Sequence, residues 1–396
     1  MQQICPSTKW VEIHLDAIEH NYLQVRQRLD DKTRLLGVVK ADAYGHGALE
    51  VARVLEKMGV DMLGVTTVEE GCQLRENQIS IPILVFAPFL PDEVEKIISY
   101  DLTVTVAAKE QIEWLKQALL SNSPDINSPD IKVHLKVETG MGRTGFMPAE
   151  ITEAAREVLA VPGLILEGVY SHFATAMWKN KRYAKLQLKL FQETLQKLEQ
   201  AGINELVKHI SNSAAILDLP EAQLDMVRTG TLLYGQVPSP RHEGMLELMD
   251  PWLFKARIIH LRELPAGYGV GYGRTYKTTR KTMVAILPIG FMDGFQMEPV
   301  LKPAGFWELL KGGIKQFLYY INHPLVTPSV LLPGGGARII GKVGMQLTMI
   351  NVTGIKGAEI GTEVRIPVRR TAVSLAVPRL YLQDSKLMGI RRSENT

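Results

Sequence analysis

Lys40 closes an apolar run, Leu35–Val39, and glycines follow it at positions 45 and 47. Residues 34–39 are patterned as a buried strand, while Val51, Val54, Leu55 and Met58 recur on one helical face, so the lysine sits in a strand-to-helix loop. At the carboxyl end of a strand in a parallel α/β fold a polar side chain tends to do chemistry. A lysine desolvated there loses its proton more readily, and the neutral amine can form a Schiff base with a carbonyl cofactor or act as a base. A solvated lysine capping a strand is the plain alternative, and this stretch alone leaves both readings open. Arg143, His172, Ser211, Asn212, Ser213 and Arg228 fall at or just past the ends of later apolar runs. One histidine in such a strand is commonly a satisfied core group; the company of the others is what singles out His172. Gly140, Gly142 and Gly145 have dinucleotide-binding spacing, but no ribose-binding acid follows in register, and the match reads as accidental.

The elements that would carry these residues are regular. After a strand-like segment at Val11–Leu15 come eight apolar runs: Leu35–Lys40, Met62–Val68, Ile83–Ala87, Leu102–Val106, Val133–Val137, Leu166–Phe173, Val207–Ser211 and Met226–Leu233. Amphipathic helices separate them, most clearly at Tyr183–Gln200, where Ala184, Leu188, Phe191, Leu195 and Leu198 share a face. Eight β/α units predict a closed parallel barrel, with an open doubly wound sheet as the alternative. In the barrel, the residues named above converge on one mouth. From Met249 onward short alternating runs (Lys255–Leu261, Thr282–Leu287, Ala337–Ile340, Glu363–Ile366) predict a mostly antiparallel β domain. The expected division is a (β/α)8 barrel over 9–243 and a β domain over 244–388. Within the latter, Trp307–Ile321 reads as an apolar, aromatic helix that needs cover, and the tail Arg391–Thr396 as frayed.

The 396 residues exceed one ordinary core, and 45 basic against 42 acidic side chains leave a net charge of +3 without basic runs. No nucleic-acid or membrane partner is therefore expected, and a small-molecule substrate is. Cys5 and Cys72 are too few for a disulfide framework and lack zinc-site spacing, so no metal is expected. With no signal-like segment and no apolar run near ~20 residues, a cytoplasmic location is expected.

The segment Val-Lys-Ala-Asp-Ala-Tyr-Gly-His-Gly, from Val39 to Gly47, resembles the pyridoxal-phosphate lysine segment of the alanine racemase family. Val133–Arg143 resembles the family segment whose arginine lies near the substrate carboxylate, here Arg143. Lys136 stands where members can carry a carbamylated lysine, and Glu138 replaces an aspartate. Asp225–Gly235 resembles the segment whose arginine, here Arg228, faces the pyridine nitrogen. Most pyridoxal enzymes place a carboxylate there to keep that nitrogen protonated. An arginine stays charged and only donates, so the electron sink is weaker, which favours racemisation over transamination. The alternative for Arg228, a surface ion pair, fits poorly inside so apolar a strand. The resemblance implies a phosphate cradle of Tyr44, Ser213, Gly230 and Thr231, with His209–Ala215 matching the pattern around Asn212 and Ser213.

Gly269–Tyr276 alone reads as a glycine-rich hairpin. It resembles the family segment holding the second catalytic base, which makes Tyr272 the candidate and Tyr276 the fallback. A tyrosine titrates near ~10, so His172 and the nearby arginines would have to favour its phenolate. Ala285–Phe295 also matches, as does Gly341–Val352, where the backbone of Met345 is expected near the substrate carboxylate. Departures are Phe291 for an entry-gate tyrosine, Gly344 and Gln346 for the cysteine and aspartate flanking the methionine, a phosphate-site tyrosine missing from Arg365–Val373, and a long Met297–Pro333. They predict a wider side-chain range, serine first. The resemblance implies a pyridoxal-phosphate enzyme that interconverts L- and D-alanine by two bases, Lys40 and Tyr272, supplies D-alanine for peptidoglycan, and forms a head-to-tail homodimer with shared sites. The alternatives are a racemase of serine or a larger amino acid, a non-catalytic pyridoxal-phosphate-binding protein, and a decarboxylase or metal-assisted aldolase. Tyr272 argues against the second, and the want of a His and Cys cluster against the last.

Overall fold

The structure, a computed structural model, describes residues 7–121, 130–297, 305–320 and 326–392, without the side chain of Tyr319. It divides into two compact units, Leu15–Pro251 and the pairing of Met1–His14 with Trp252–Thr396. Cys5, Ile321 and the last four residues of the tail lie outside the described residues.

The first unit is the barrel, not the open sheet. Its eight parallel strands are Arg34–Val38, Met62–Val65, Ile83–Val85, Thr103–Val106, Ile131–Lys136, Leu164–Tyr170, Val207–His209 and Met226–Thr229. Each of the first seven pairs with its neighbour in sequence, and the last returns to the first, Arg34 opposite Met226. The last two strands meet through single bonds, Asp225 N to Lys208 O (3.1 Å) and Arg228 N to Ser211 O (3.2 Å), which leaves the ring nearly closed. Met62–Val65 and Thr103–Val106 are buried at every residue, as parallel strands covered on both faces must be. Leu36, Val38, Met62, Leu84 and Met226 form one cluster of this core. The helix Arg182–Gln200 buries the face read from the sequence, Ala184, Leu188, Phe191, Leu195 and Leu198.

The second unit is a ten-stranded, mostly antiparallel sheet. Lys9–His14, which the sequence grouped with the barrel, runs in this sheet, antiparallel to Trp252–Arg257 and parallel to Arg379–Gln383. Trp10, Val11 and Ile13 are buried, and with both edges paired the strand needs partners remote in sequence. The expected helix is present at Phe306–Tyr320, but among the described residues nothing covers it: Trp307 is 72% and Phe317 61% exposed. Among the described residues no helix is long and apolar enough to cross a membrane.

Candidate active site

Past the first barrel strand the chain makes an unusual turn. Ala41, Asp42, Ala43 and Tyr44 all have positive φ, 51°, 55°, 51° and 57°, which is one turn of left-handed helix directly after Lys40. Each such L-residue costs about 1–2 kcal/mol, so the surroundings must over-determine the turn. Gly45 N donates to Ala41 O (3.0 Å), Gly47 N to Asp42 O (3.0 Å), and Ala48 N to Asp42 Oδ1 (3.0 Å). Buried Tyr234 backs it, stacked on His46 and packed against Tyr44, with its hydroxyl donating to Val38 O (2.8 Å). Lys40 is half-buried, and its pKa is lowered by burial first and by Arg143 second, with Glu70 opposing.

Arg228 lies at the last strand, 4% exposed. Its guanidinium donates to His209 Nδ1 (2.6 Å), Ser171 O (2.7 Å), His172 Nδ1 (3.1 Å) and Ile210 O (3.2 Å). Since a guanidinium only donates, both Nδ1 atoms must accept, which assigns the tautomers. His209 then donates from Nε2 to His134 Nδ1 (2.8 Å), and His134 donates from Nε2 to Glu167 (3.0 Å). Burial, then Arg228, holds both His172 and His209 far below the usual imidazole range, and so neutral. Tyr170 stacks on His209 at 4.8 Å with Arg228 5.2 Å from its ring, and burial pushes its hydroxyl up to about 12. Burial draws Arg228 itself down to about 10, still charged at neutral pH.

The loop bearing Arg143 is organised by Glu138, which accepts from the backbone N–H of Gly140 (2.5 Å), Met141 (2.5 Å) and Arg143 (3.2 Å). The Glu138 carboxylate thus fills a backbone nest. Gly145, at φ 122°, permits the return: a Cβ there would meet Lys136 O at 2.8 Å. Lys136 is 3% exposed and donates to Thr144 Oγ1 (2.6 Å). Burial first, then Arg143 and Arg228, draws it down to about 8.

At the remaining edge Gly230 N donates to Ser213 Oγ (3.2 Å), which also meets Thr229 Oγ1 (3.2 Å). A Cβ on Gly230 would lie 2.5 Å from the Tyr44 hydroxyl, so the residue must be glycine for Tyr44 to reach this point. Thr231 Oγ1 is buried without a hydrogen-bond partner among the described residues. Asn212 accepts from Ala214 N and Ala215 N (both 3.2 Å), capping the helix Ser213–Asp218 and so placing Ser213.

Lys40, Tyr44, Lys136, Arg143, His172, Asn212, Ser213, Arg228, Gly230 and Thr231 line one cavity of about 440 Å³. Ser211 is not among them: its hydroxyl donates instead to Ala222 O (2.6 Å). Sequence reasoning missed Tyr170, Phe86 and Thr66, which also line the cavity from strand ends, and the buried pair His134 and His209. The available signal was their position within two residues of a strand's carboxyl end. Among the described residues no group of three or more His, Cys, Asp or Glu is placed to hold a metal.

In the other unit Tyr272 sits on a short 3-10 turn after Gly271 (φ 71°) and is 80% exposed. Tyr276 instead pairs opposite Val270 and packs on the cluster of Leu264, Val270, Val284 and Ile340. Met345 is 61% exposed, and its carbonyl accepts from Met292 N (3.1 Å) while Gly344 O accepts from Phe291 N (3.1 Å). A Cβ on Gly290 would meet Gly344 O and Met345 O at 2.2 Å, so these two loops close on each other only around a glycine.

Fold and site together define a parallel-barrel enzyme with a lysine amine at the mouth and fixed cationic groups around a small-molecule cavity. Residues 13–238 match the family described as alanine racemase, N-terminal domain, and residues 252–377 that described as alanine racemase, C-terminal domain. "Alanine racemase 1" of Caldanaerobacter subterraneus subsp. tengcongensis is 39% identical over 360 residues, 90% of this chain and 84% of that protein. Alanine racemase of Clostridium novyi is 32% identical over 96% of this chain and 97% of its own length. Among solved structures, alanine racemase of Clostridium difficile 630 superposes with a TM-score of 0.85 at 31% identity, covering 98% of each chain. The alanine racemase of Bacillus anthracis with bound L-Ala-P gives 0.82 at 27% identity, covering 97% of each. The chain belongs to the alanine racemase family.

Proposed function

We propose that this chain is a pyridoxal-phosphate-dependent isomerase that interconverts L- and D-alanine. The single observation that carries the reading is the buried Arg228, locked by His209, Ser171 and Ile210 at the rim of the cavity that also holds Lys40. The residues fit the cofactor: the unpartnered Thr231 hydroxyl, the bare Gly230 and the Ser213 hydroxyl form a cradle suited to a phosphate, and Lys40 offers an amine for the aldehyde. When bound, pyridoxal phosphate withdraws electron density from the substrate Cα and so acidifies its proton.

The rest is the work of this chain. Lys40, its amine made easier to deprotonate by burial and by Arg143, takes or returns the Cα proton on one face. Arg228 presents a fixed positive charge that donates but takes no proton, which keeps the electron sink weak and favours return of the proton to Cα. Arg143, held by the Glu138 nest, takes the substrate carboxylate, with the backbone of Met345 nearby. Tyr272, exposed on its turn, serves the opposite face of Cα in the site of a second copy, so the assembly is a homodimer with shared sites. Lys136, partly neutral at about 8, can take up carbon dioxide and, as the carbamate, pair with Arg143. The enzyme works in the cytoplasm and supplies D-alanine for peptidoglycan.

The test is incubation of the holoenzyme with each single enantiomer of alanine in heavy water, scoring Cα exchange and inversion. Inversion from both sides is expected, and exchange without inversion refutes the reading. Serine belongs in the same assay, because Phe291 and Gln346 both depart from the family pattern; a serine rate above that of alanine transfers the proposal to that substrate.

A further inference from the structure

Glu70 lies on the third residue of the helix Val68–Glu76, after the second barrel strand, and does not line the cavity. Its Oε1 accepts from Ala41 N (2.6 Å), the first N–H after Lys40. Its Oε2 accepts from Thr66 N (2.7 Å) and Thr67 N (3.2 Å). One carboxylate thus joins two adjacent strand ends at the barrel mouth, one bearing the lysine and the other bearing Thr66 of the cavity wall. The bond to Ala41 falls at the entry of the left-handed turn, at the first of its four positive-φ residues.

We propose that Glu70 is a positioning residue for Lys40: its carboxylate clamps the left-handed turn to the neighbouring strand end and so fixes the place of the amine. This rests on the reading of Lys40 given above. The clamp requires a carboxylate. A glutamine of the same shape has one acceptor oxygen, and its NH2 would oppose an N–H on the other side, so one of the two strand ends must be released.

The competing role is ordinary helix capping, since Glu70 N also donates to Thr67 Oγ1 (3.3 Å) in a capping box. Two further substitutions separate the roles. Thr67→Ala removes the cap hydroxyl and leaves both sides of the clamp. Ala41→Gly removes the Cβ that makes positive φ costly, so it relaxes the turn without touching the helix.

Hydrogen exchange is measured on the cofactor-free protein over residues 39–47, where Ala43, Gly45, His46 and Gly47 donate within the turn. Turnover of alanine is measured on the loaded enzyme. Glu70→Gln is expected to speed exchange of these amides about tenfold, the worth of one hydrogen bond to a charged group, and to lower kcat by tenfold or more with KM within about twofold. Ala41→Gly in the Glu70→Gln background should recover both in part, and Thr67→Ala should change neither. Glu70→Asp, too short to span the two ends, should behave as Glu70→Gln if the latter folds poorly. Unchanged exchange in both Glu70 variants, or the same effects from Thr67→Ala, overturns the proposal. Failure of the underlying reading shows separately, as alanine inversion persisting in Lys40→Ala.

Discussion

Lys136 burdens the folded protein with a buried positive charge, and removing that charge should stabilise it. Lys136 is 3% exposed and shares its surroundings with Arg143 and Arg228, and its amine falls from the ordinary 10.5 to about 8. Between those values the unfolded chain holds a proton that the folded chain has released, so stability rises with pH across that window. Above 10.5 both states are neutral and the burden is gone; below about 8 it is present in full. At about 1.4 kcal/mol per pH unit the full burden is about 3 kcal/mol. Lys136→Met keeps most of the stem and loses the bond to Thr144, which offsets about 1 kcal/mol. A net gain of about 2 kcal/mol at pH 7 is expected for the cofactor-free protein, read from urea midpoints at constant slope. The gain should vanish as pH approaches 10.5. A second arm uses carbon dioxide: bicarbonate should stabilise the parent through a carbamate paired with Arg143, and leave Lys136→Met unmoved. A stability gain of Lys136→Met over the parent that is no larger at pH 7 than at pH 10 would refute the buried-charge cost. If bicarbonate stabilises both proteins equally, the carbamate is excluded.

Lys40→Ala should abolish borohydride-fixed cofactor, and a fixed adduct at any other lysine would reassign the attachment point. Tyr272→Phe should lose Cα exchange from one enantiomer only, measured in heavy water, whereas equal exchange from both would move the second base to another residue. Mixing Lys40→Ala with Tyr272→Phe subunits should restore activity if each site draws its two bases from two copies; no recovery after demonstrated subunit exchange would place both bases in one chain. Gly230→Ala puts a Cβ where the Tyr44 hydroxyl stands, 2.5 Å away, and Tyr44 is backed by Tyr234, so cofactor affinity by fluorescence titration should fall tenfold or more. Unchanged affinity would mean that Tyr44 is not part of the cradle.

The order of elements and the chemistry-bearing residues were legible in the chain because they are local. An apolar run followed by lysine and glycines, or an arginine inside an apolar strand, is visible within ten residues, and eight such runs already imply which side chains share a mouth. Tertiary structure decided what depends on neighbours distant in sequence. Lys9–His14 looks like any leading strand until Trp252–Arg257 and Arg379–Gln383 take its two edges. Ser211 and Ser213 are alike as residue types, and only the packing of Ala222 turns one away from the cavity. The proton pattern from Arg228 through His209 and His134 to Glu167 joins four strands, so no single segment contains it. The left-handed turn after Lys40 is the sharpest case. Ala-Asp-Ala-Tyr has no intrinsic reason to adopt positive φ, and the turn persists because Glu70, Tyr234 and the Asp42 bond to the next helix outweigh that local cost.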